Sequence, residues 1–391
     1  EVRLQSHLKP LPRTGWFRSS DPQLNDVWRG AVRTVHVCMQ EQLEDGVKRD
    51  CCLWAGDLRP AGVAALYAFG AAEYLKHNLR QFIPWRVREG AIPPMVGHSY
   101  VMYDYVAWWT LAAHDVYRYD GDAAFVREVF PVVKEQVAFL QRRRAPSGLV
   151  DVQLEFGAPF TDWTCTRDKT GEVTFMQALY YRMLLDGAEL AEVAGEAETA
   201  RQWREEAAAV KAAANERLWS EALDAFADFR RGDVLSARTS EDGLCLSALF
   251  GLAEADRGAK LLDRLRDRHW STYGSLYLDR PYDPAEPDYI HTLRPNYIPV
   301  MINGYEVAAF LRAGRVDEGI ELIRRCYGNM LDRGATTFWE AVDENTGLSP
   351  ESNVSLCHSW TGLVAYLLQS EILGVTPAEP GFAACTIEPK P

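Results

Sequence analysis

The sequence predicts an all-α protein whose helices pair as hairpins and close into a ring, an (α/α)6 barrel. The first observation behind this prediction is periodicity, because apolar residues recur three or four positions apart along most of the chain. Phe125, Val129, Val133 and Leu140, for example, fall on one helix face. Helical segments are predicted at 22–41, 60–76, 101–118, 123–144, 175–194, 197–218, 241–253, 257–268, 300–312, 316–331 and 356–373.

The joins between these segments supply the second observation, because some are very short and others are long. Three short joins, at 119–122, 195–198 and 313–317, combine a glycine that ends one helix with an acidic residue that starts the next. Such joins produce antiparallel hairpins. Long joins rich in Trp, Tyr, Asp and Pro are predicted at 77–100, 145–174, 219–240 and 269–299.

The number of segments approaches the twelve helices that six hairpins would need, so we expect tight turns on one face of the ring and functional loops on the other. An α-solenoid is the alternative architecture. It is disfavoured because no residue signature recurs at the period of about 33–47 residues that solenoid repeats show.

Composition excludes several classes of partner. The chain has 391 residues, of which 47% are hydrophobic and 25% charged, enough to bury one large core or two ordinary ones. Its formal net charge is -13 and it lacks the long Lys/Arg stripes that neutralise phosphates, so we expect no nucleic-acid partner. The apolar stretch at 60–72 lies between Arg59 and Glu73 and is too short to span a bilayer, so we expect no membrane insertion. The sequence leaves the oligomeric state open.

The eight cysteines contain no C-x-x-C pair and are too sparse for a disulfide scaffold. We expect mostly reduced core thiols, which favours a cytoplasmic location. The chain starts at Glu1 without an initiator Met or a leader, as a mature form or a fragment would, so a secreted or periplasmic location stays open. Cys51 and Cys52 are adjacent rather than spaced as zinc ligands, and phosphate-binding glycine loops are missing from the sequence, so neither a metal nor a cofactor is predicted.

Two segments place carboxylates beside tryptophan. Residues 45–57 read DGVKRDCCLWAGD, and residues 334–340 read GATTFWE. Sugars bury their apolar faces on aromatic rings, while carboxylates bind hydroxyl groups and transfer protons. The sequence therefore predicts an enzyme that acts on a carbohydrate substrate.

Four short motifs follow one another along almost the whole chain. They are GWFRSSDPQLN at 15–25, KRD at 48–50 with WAGD at 54–57, GATTFWE at 334–340, and CHSW at 357–360. In this order and spacing they resemble the catalytic domain of the family 78 α-L-rhamnosidases. The resemblance implies a six-hairpin (α/α)6 barrel that removes terminal α-L-rhamnose from glycosides or polysaccharides, with inversion at the anomeric carbon and without a cofactor.

The resemblance also implies two catalytic carboxyl groups, one protonating the departing oxygen and one activating water across the sugar. Glu340, the last residue of GATTFWE, matches the family's base. The acid is Asp50 if residues are counted back from Trp54, whereas counting forward from Asp45 reaches Cys51, a thiol that cannot donate a proton in the same way. We prefer Asp50, because a second branch of the family carries a similar Asp-Gly-x-Lys-Arg-Asp-Arg pattern, in which Cys51 replaces the final arginine here.

Further residues match or adjoin the family's sugar-binding positions. Acidic and histidine side chains would accept or donate hydrogen bonds to ring hydroxyls, and tryptophan would stack on the sugar. These candidates are Glu44, Asp45, Trp54, Asp57, Asp104, Asp162, Trp163, Trp339, His358 and Trp360.

Each assignment competes with a structural role. Asp50 could simply pair with Arg49, Asp57 could cap a helix that starts at Leu58, and tryptophan in a helical barrel is more often part of the core. Two alternatives at the level of function also stay open. One is a different (α/α)6-barrel glycosidase or a polysaccharide lyase, and the other is a carbohydrate-binding relative that has lost its acid.

The predicted domain organisation has three parts. Residues 1–14 are an N-terminal extension, 15–376 the barrel, and 377–391 a C-terminal extension. The segment 380–389, PGFAACTIEP, resembles the link that leads into a C-terminal β-sandwich in the family, and this chain stops there.

Overall fold

Helices dominate the computed structural model, which describes residues 8–160, 169–290, 294, 296–350 and 354–390. Thirteen α-helices occur within these ranges. They are α1 (Pro22–Cys38), α2 (Ala55–Phe69), α3 (Ala72–Phe82), α4 (Tyr103–Asp120), α5 (Ala123–Gln141), α6 (Thr174–Ala194), α7 (Ala197–Arg217), α8 (Glu241–Phe250), α9 (Ala255–Arg264), α10 (Val300–Arg312), α11 (Val316–Ile323), α12 (Asn329–Asp332) and α13 (Leu363–Leu367). π-Helical turns extend three of them, at Leu265–His269, Arg324–Gly328 and Leu368–Ile372, and the 3-10 turn Ser359–Gly362 leads into α13.

Alternate helices form an inner ring. Within the described residues, α2, α4, α6, α8, α10 and α13 each pack against the next, and α13 returns to pack against α2. The helices α1, α3, α5, α7, α9 and α11 surround them. Five hairpins join consecutive helices, and α13 with α1, from opposite ends of the chain, occupies the sixth position. The prediction of an all-α (α/α)6 barrel is confirmed.

Residue patterns explain which helices lie inside. In α10 every residue except Arg312 is buried, so this helix is apolar around most of its circumference. In contrast, α7 buries only six of its residues and exposes a charged face. Helices that are hydrophobic all round belong in a core, whereas amphipathic helices cover it.

The connections divide the barrel into two faces. Each inner helix leads to the following outer helix through a tight turn, and Gly70, Gly121, Gly195 and Gly251 cap four of these turns in the left-handed conformation. Each outer helix leads to the next inner helix through a longer connection. Because neighbouring helices are antiparallel, the long connections all emerge on the same face.

Short antiparallel strands stiffen the long connections. They are β1 (Glu172–Val173), β2 (Trp219–Ser220), β3 (Ala225–Phe226), β4 (Phe229–Arg231), β5 (Val234–Leu235), β6 (Trp270–Ser271), β7 (Gly274–Ser275), β8 (Tyr297–Pro299) and β9 (Ala341–Asp343). Their order is β1-β4-β5 in one sheet, with β2-β3, β6-β7 and β8-β9 as pairs. The pairing of β8 with β9 joins the connection before α10 to the connection before α13.

Two local predictions were wrong. The predicted helix at 60–76 is divided at Gly70, which adopts a φ of 61°, and a separate helix α3 follows. Glycine takes this conformation without the steric cost that other residues incur, so apolar spacing alone did not reveal the break. Asp57 does not cap a helix starting at Leu58, because α2 starts earlier, with Trp54 at its N-cap and Asp57 in its first turn.

The segment after the barrel forms a hairpin of β10 (Val375–Pro377) and β11 (Cys385–Ile387). The ring of Phe382, between these strands, lies 5.4 Å from that of Tyr119 in α4. None of the helices in the described ranges combines the length and the apolar character that crossing a bilayer requires. The division into domains at residues 14 and 376 stays a prediction.

One cation links several inner helices. The Arg59 guanidinium of α2 lies 2.9 Å from the Asp115 carboxylate of α4 and donates a hydrogen bond of 3.3 Å to the Tyr305 hydroxyl of α10. It also lies 5.7 Å from the ring centroids of Trp108 and Phe250, in α4 and α8. Burial by itself would lower the pKa of Arg59, but Asp115 raises it, so the side chain stays charged. This one residue therefore connects four of the six inner helices.

We expect Arg59→Met to lower the free energy of unfolding by about 3 kcal/mol, because it leaves the Asp115 carboxylate without its cation inside the ring. Arg29→Met is the matched control, since Arg29 pairs with Asp26 on the exposed face of α1 and should contribute less than about 1 kcal/mol. Urea unfolding followed by circular dichroism measures both. Equal losses in the two variants would contradict a special role for Arg59.

Candidate active site

The first and last long connections of the barrel meet beside the start of α2. Gly46 pairs with His358 as an isolated antiparallel bridge, and the Ser359 amide donates to the Asp45 carbonyl at 2.7 Å. A Cβ atom at position 46 would lie 2.5 Å from Ser355 Oγ, so only glycine permits this approach. Two motifs that are some 300 residues apart in sequence are thereby adjacent in space.

Glu340 lies at the bottom of this junction. Its side chain is 1% exposed, and its Oε2 accepts a hydrogen bond of 2.8 Å from the Ser355 amide. The Arg49 guanidinium lies 3.5 Å from the same oxygen, and His358 Nδ1 lies 3.7 Å from it. These contacts hold the carboxylate in one orientation.

His358 lies between two carboxylates. Its Nε2 is 3.3 Å from Asp57 Oδ1, while its Nδ1 faces Glu340. Burial would lower the pKa of His358, but the Glu340 and Asp57 charges outweigh it and raise the pKa to about 9. The imidazole is therefore a cation at neutral pH, and it offsets part of the negative charge around it.

Asp45 and Asp57 are the other buried acids of the cluster. Burial first, and then the charge of Asp57, raises the pKa of Asp45 to about 6. Burial also raises the pKa of Asp57, although the hydrogen bond with His358 opposes the shift. Asp45 Oδ1 accepts a hydrogen bond of 3.0 Å from the Cys52 amide. Both carboxylates are fixed by backbone or side-chain contacts before any ligand arrives.

Asp50 lies at the exposed edge of the cluster, with 42% of its side chain accessible. Its Oδ1 is 3.8 Å from Arg49 Nε, so one guanidinium contacts both Asp50 and Glu340. The neighbouring Cys51 adopts a φ of 54°, and its thiol contacts the Val47 carbonyl at 3.3 Å. Glu44 is partly buried, and burial followed by the charge of Asp45 raises its pKa.

The three candidate sugar-binding tryptophans among the described residues differ in burial. Trp360 is buried, and its ring centroid lies 4.1 Å from that of His358. Trp339 is also buried, and its amide donates to the sulfur of Met330 at 3.3 Å. Trp54 is half-buried at the N-cap of α2, where its ring meets Tyr105 edge to face at 6.1 Å. Trp339 and Trp360 are therefore both enclosed by the core, and Trp54 is the most accessible of the three.

The structure describes one of the three remaining candidate residues and leaves out the other two. Asp104 is buried in the first turn of α4, where its carboxylate accepts a hydrogen bond of 2.9 Å from the Phe160 amide. It anchors the connection before α6. Asp162 and Trp163 lie outside the described residues.

The sequence predicted Arg49 only as a partner of Asp50, and its contact with Glu340 was not predicted. The role of Ser355, whose amide orients Glu340, was not predicted either. The contact of Arg49 with Glu340 joins opposite ends of the chain, and that of Ser355 depends on how the connection before α13 folds back on itself, so no local pattern identified either one.

Among the described residues, a cluster with the spacing of a metal site is formed by Glu73, Asp120 and Asp122 on the short-turn face. The Lys76 ammonium lies 2.9 Å from Asp120 and 2.8 Å from Asp122, so a lysine already supplies the positive charge there. The described cysteines are free thiols. Cys38, Cys245, Cys326 and Cys357 are buried, as expected, whereas Cys51 and Cys385 are exposed.

Comparison with known protein families identifies residues 12–275 as a bacterial α-L-rhamnosidase six-hairpin glycosidase domain. The match covers about two thirds of the chain. The chain belongs to this rhamnosidase family. The motif at residues 45–57 lies within the matched residues of this family member. Glu340 and His358 lie beyond them, in a part of the chain that is covered by the similarity to solved structures.

Solved structures extend the likeness of this rhamnosidase-family chain to nearly its full length. The family 78 rhamnosidase of Bacillus sp. GL1 is 26% identical with a TM-score of 0.82, over 98% of this chain and 38% of that one. The rhamnosidase from Klebsiella oxytoca with rhamnose bound is 24% identical with a TM-score of 0.74, over 90% of this chain and 65% of that one. The chain thus spans about two fifths to two thirds of these relatives.

A more distant structure shares the fold alone. The family 63 mannosylglycerate hydrolase from Thermus thermophilus, in complex with glucose, is 14% identical with a TM-score of 0.67, over 88% of this chain and 99% of that one. A comparison with curated proteins found no match. The same fold as that of this rhamnosidase-family member therefore also occurs in a protein that consists of little more than the barrel.

His358 should make the stability of the barrel depend on pH. A group whose pKa rises on folding stabilises the folded state fully below its unfolded pKa and loses this effect as pH rises through its folded pKa. We therefore expect His358→Gln to lower the free energy of unfolding by about 2–3 kcal/mol more at pH 7 than at pH 10, from the rise in pKa to about 9. Urea unfolding of both proteins at the two pH values tests this. A difference independent of pH would show that the imidazole does not carry charge there.

Proposed function

We propose that the chain is an exo-acting inverting glycoside hydrolase that releases terminal α-L-rhamnose from glycosides or polysaccharides. The observation that carries the proposal is the arrangement of Glu340 and Asp50 around Arg49. One carboxylate is buried and fixed, the other is exposed, and a single guanidinium contacts both. Family membership and the likeness to a rhamnosidase with rhamnose bound support the choice of sugar.

Glu340 is proposed as the general base. Its Oε2 accepts a hydrogen bond from the Ser355 amide and faces two cations, so the carboxylate is held in place to withdraw a proton from water. His358 also orients the opposite acid Asp57, which keeps the base and a sugar-binding group in register.

Asp50 is proposed as the general acid. Its exposed position suits a group that must reach the glycosidic oxygen and then release the leaving group to solvent. One guanidinium contacts both carboxyl groups, and an inverting mechanism requires them about 6.5–9.5 Å apart, with room for water between. Arg49 acts as the positioning residue between them.

The remaining candidates are proposed to bind the sugar. Asp45 and Asp57 would accept hydrogen bonds from ring hydroxyls, and the protonated His358 would donate one. Trp54 and Trp360 would contact the apolar face or the methyl group of the sugar. Glu44, Asp104, Asp162, Trp163 and Trp339 are the other candidates for sugar binding.

The reaction requires both carboxyl groups. We expect wild-type protein to hydrolyse p-nitrophenyl α-L-rhamnopyranoside and to release the β-anomer first, as followed by proton NMR. Glu340→Gln should lower kcat on this substrate by about 100-fold or more, and Asp50→Asn should do so on a rhamnosyl-glucose disaccharide, whose leaving group needs the proton, because each variant removes a proton-transfer group. Purified variants with unchanged circular dichroism exclude misfolding as the cause.

Cys51→Ser is the matched control for the acid, since Cys51 neighbours Asp50 and is the alternative from the other alignment. We expect its kcat to stay within about threefold of the wild type. A large loss of activity in Cys51→Ser, together with an active Asp50→Asn, would contradict the assignment of Asp50 as the general acid. Rhamnose binding without turnover of any rhamnoside would instead indicate a carbohydrate-binding protein.

Asp45 should set an acidic limit on activity. Its pKa is raised to about 6, so the acceptor carboxylate is lost as pH falls below that value. We expect kcat/KM to decline below about pH 6 in the wild type. In Asp45→Asn this decline should begin at a lower pH, and the maximum value of kcat/KM should be lower. The measurement is a profile of kcat/KM across the acidic and neutral range. An unchanged limb in the variant would assign the titration to another group.

A further inference from the structure

A row of aromatic rings extends outward from the candidate site. The Trp54 ring lies 5.8 Å from the ring of His98, which lies 5.1 Å from that of Tyr100. Accessibility rises along the row, since Trp54 and His98 are half-buried and Tyr100 is 42% exposed. Single exposed aromatic residues are common, but a row of rings in mutual contact that begins beside a binding cluster is not explained by chance exposure.

The backbone fixes this row against the site motif. Trp54 pairs with Met95 as an isolated bridge, and the Ala55 amide donates to the Pro94 carbonyl at 2.8 Å. The Val96 amide donates to the Leu53 carbonyl at 3.3 Å. The segment 94–100 therefore runs beside the start of α2, whose Asp57 contacts His358, and it forms a wall that leads from the cluster to solvent.

Charges of both signs lie at the open edge, because the exposed Asp50 contacts Arg49. The rings of the wall, rather than these charges, therefore determine what it binds. Flat aromatic surfaces favour a neutral ring with an apolar face.

We propose that His98 and Tyr100 form the subsite for the group to which the sugar is attached, and that this group is a neutral ring, either an aryl group or the apolar face of a pyranose. This inference rests on the proposed function, because it places the bond to be cleaved between Trp54 and the exposed end of the row. Neither residue takes part in proton transfer. Both determine which leaving groups bind well.

The test compares, for each substrate, the variant with the wild type, using leaving groups that do or do not offer a ring. We expect Tyr100→Ala to lower kcat/KM by about threefold to tenfold for p-nitrophenyl α-L-rhamnoside, mainly through KM, because stacking between rings is lost. The same variant should keep wild-type kcat/KM for trifluoroethyl α-L-rhamnoside, whose alkyl leaving group needs protonation but has no ring. A rhamnosyl-glucose disaccharide distinguishes a sugar ring from an aryl ring as the preferred occupant.

Trp85→Ala is the matched control, because Trp85 is a similarly exposed aromatic residue on the connection between α3 and α4, with 50% of its surface accessible. It should leave all three substrates unaffected. Unchanged kcat/KM for both ring substrates in Tyr100→Ala would overturn the subsite, as would equal losses on all three. A wild type that cleaves none of the rhamnosides would instead refute the proposed function.

Discussion

Crowding of negative charge governs the architecture of the candidate site. Asp45, Asp57 and Glu340 are buried together, and each would cost several kcal/mol if it stayed charged without compensation. The His358 imidazolium and the Arg49 guanidinium supply that compensation from different segments. The two cations therefore offset part of the negative charge of this buried cluster. Hydrogen bonds formed there are stronger than in water, because the surroundings screen them less.

The barrel supports this cluster of buried acids by fixing the position of α2. Asp57 lies in the first turn of that helix, and Arg59, two residues later, joins the same helix to its neighbours in the ring. A shift of α2 would move Asp57 relative to His358 and would also disturb Trp54 at the N-cap. The contacts that close the ring and the contacts that orient the site thus share one element, so damage to the former should reach the latter.

The sequence allowed the helical barrel and the motif residues to be predicted, because periodicity, glycine stops and motif order are local signals. It misplaced the helix at 60–76, since the left-handed turn at Gly70 interrupts an otherwise continuous apolar pattern. It could not reveal that Arg49 contacts Glu340, or that Trp54 begins a row of rings reaching Tyr100. Such contacts depend on how distant connections pack, and no spacing along the chain encodes them.

The pairing of Gly46 with His358 has a consequence for how the protein is made. A nascent chain exposes residues 45–57 early, but the segment that completes the pocket leaves the ribosome only after all the other barrel helices. Closing a loop of this length is entropically costly and slow, so the barrel must remain open, with an apolar inner surface exposed, until α13 docks. Newly synthesised chains therefore pass through a stage at which aggregation competes with ring closure, and chaperone demand should be highest just before α13 emerges.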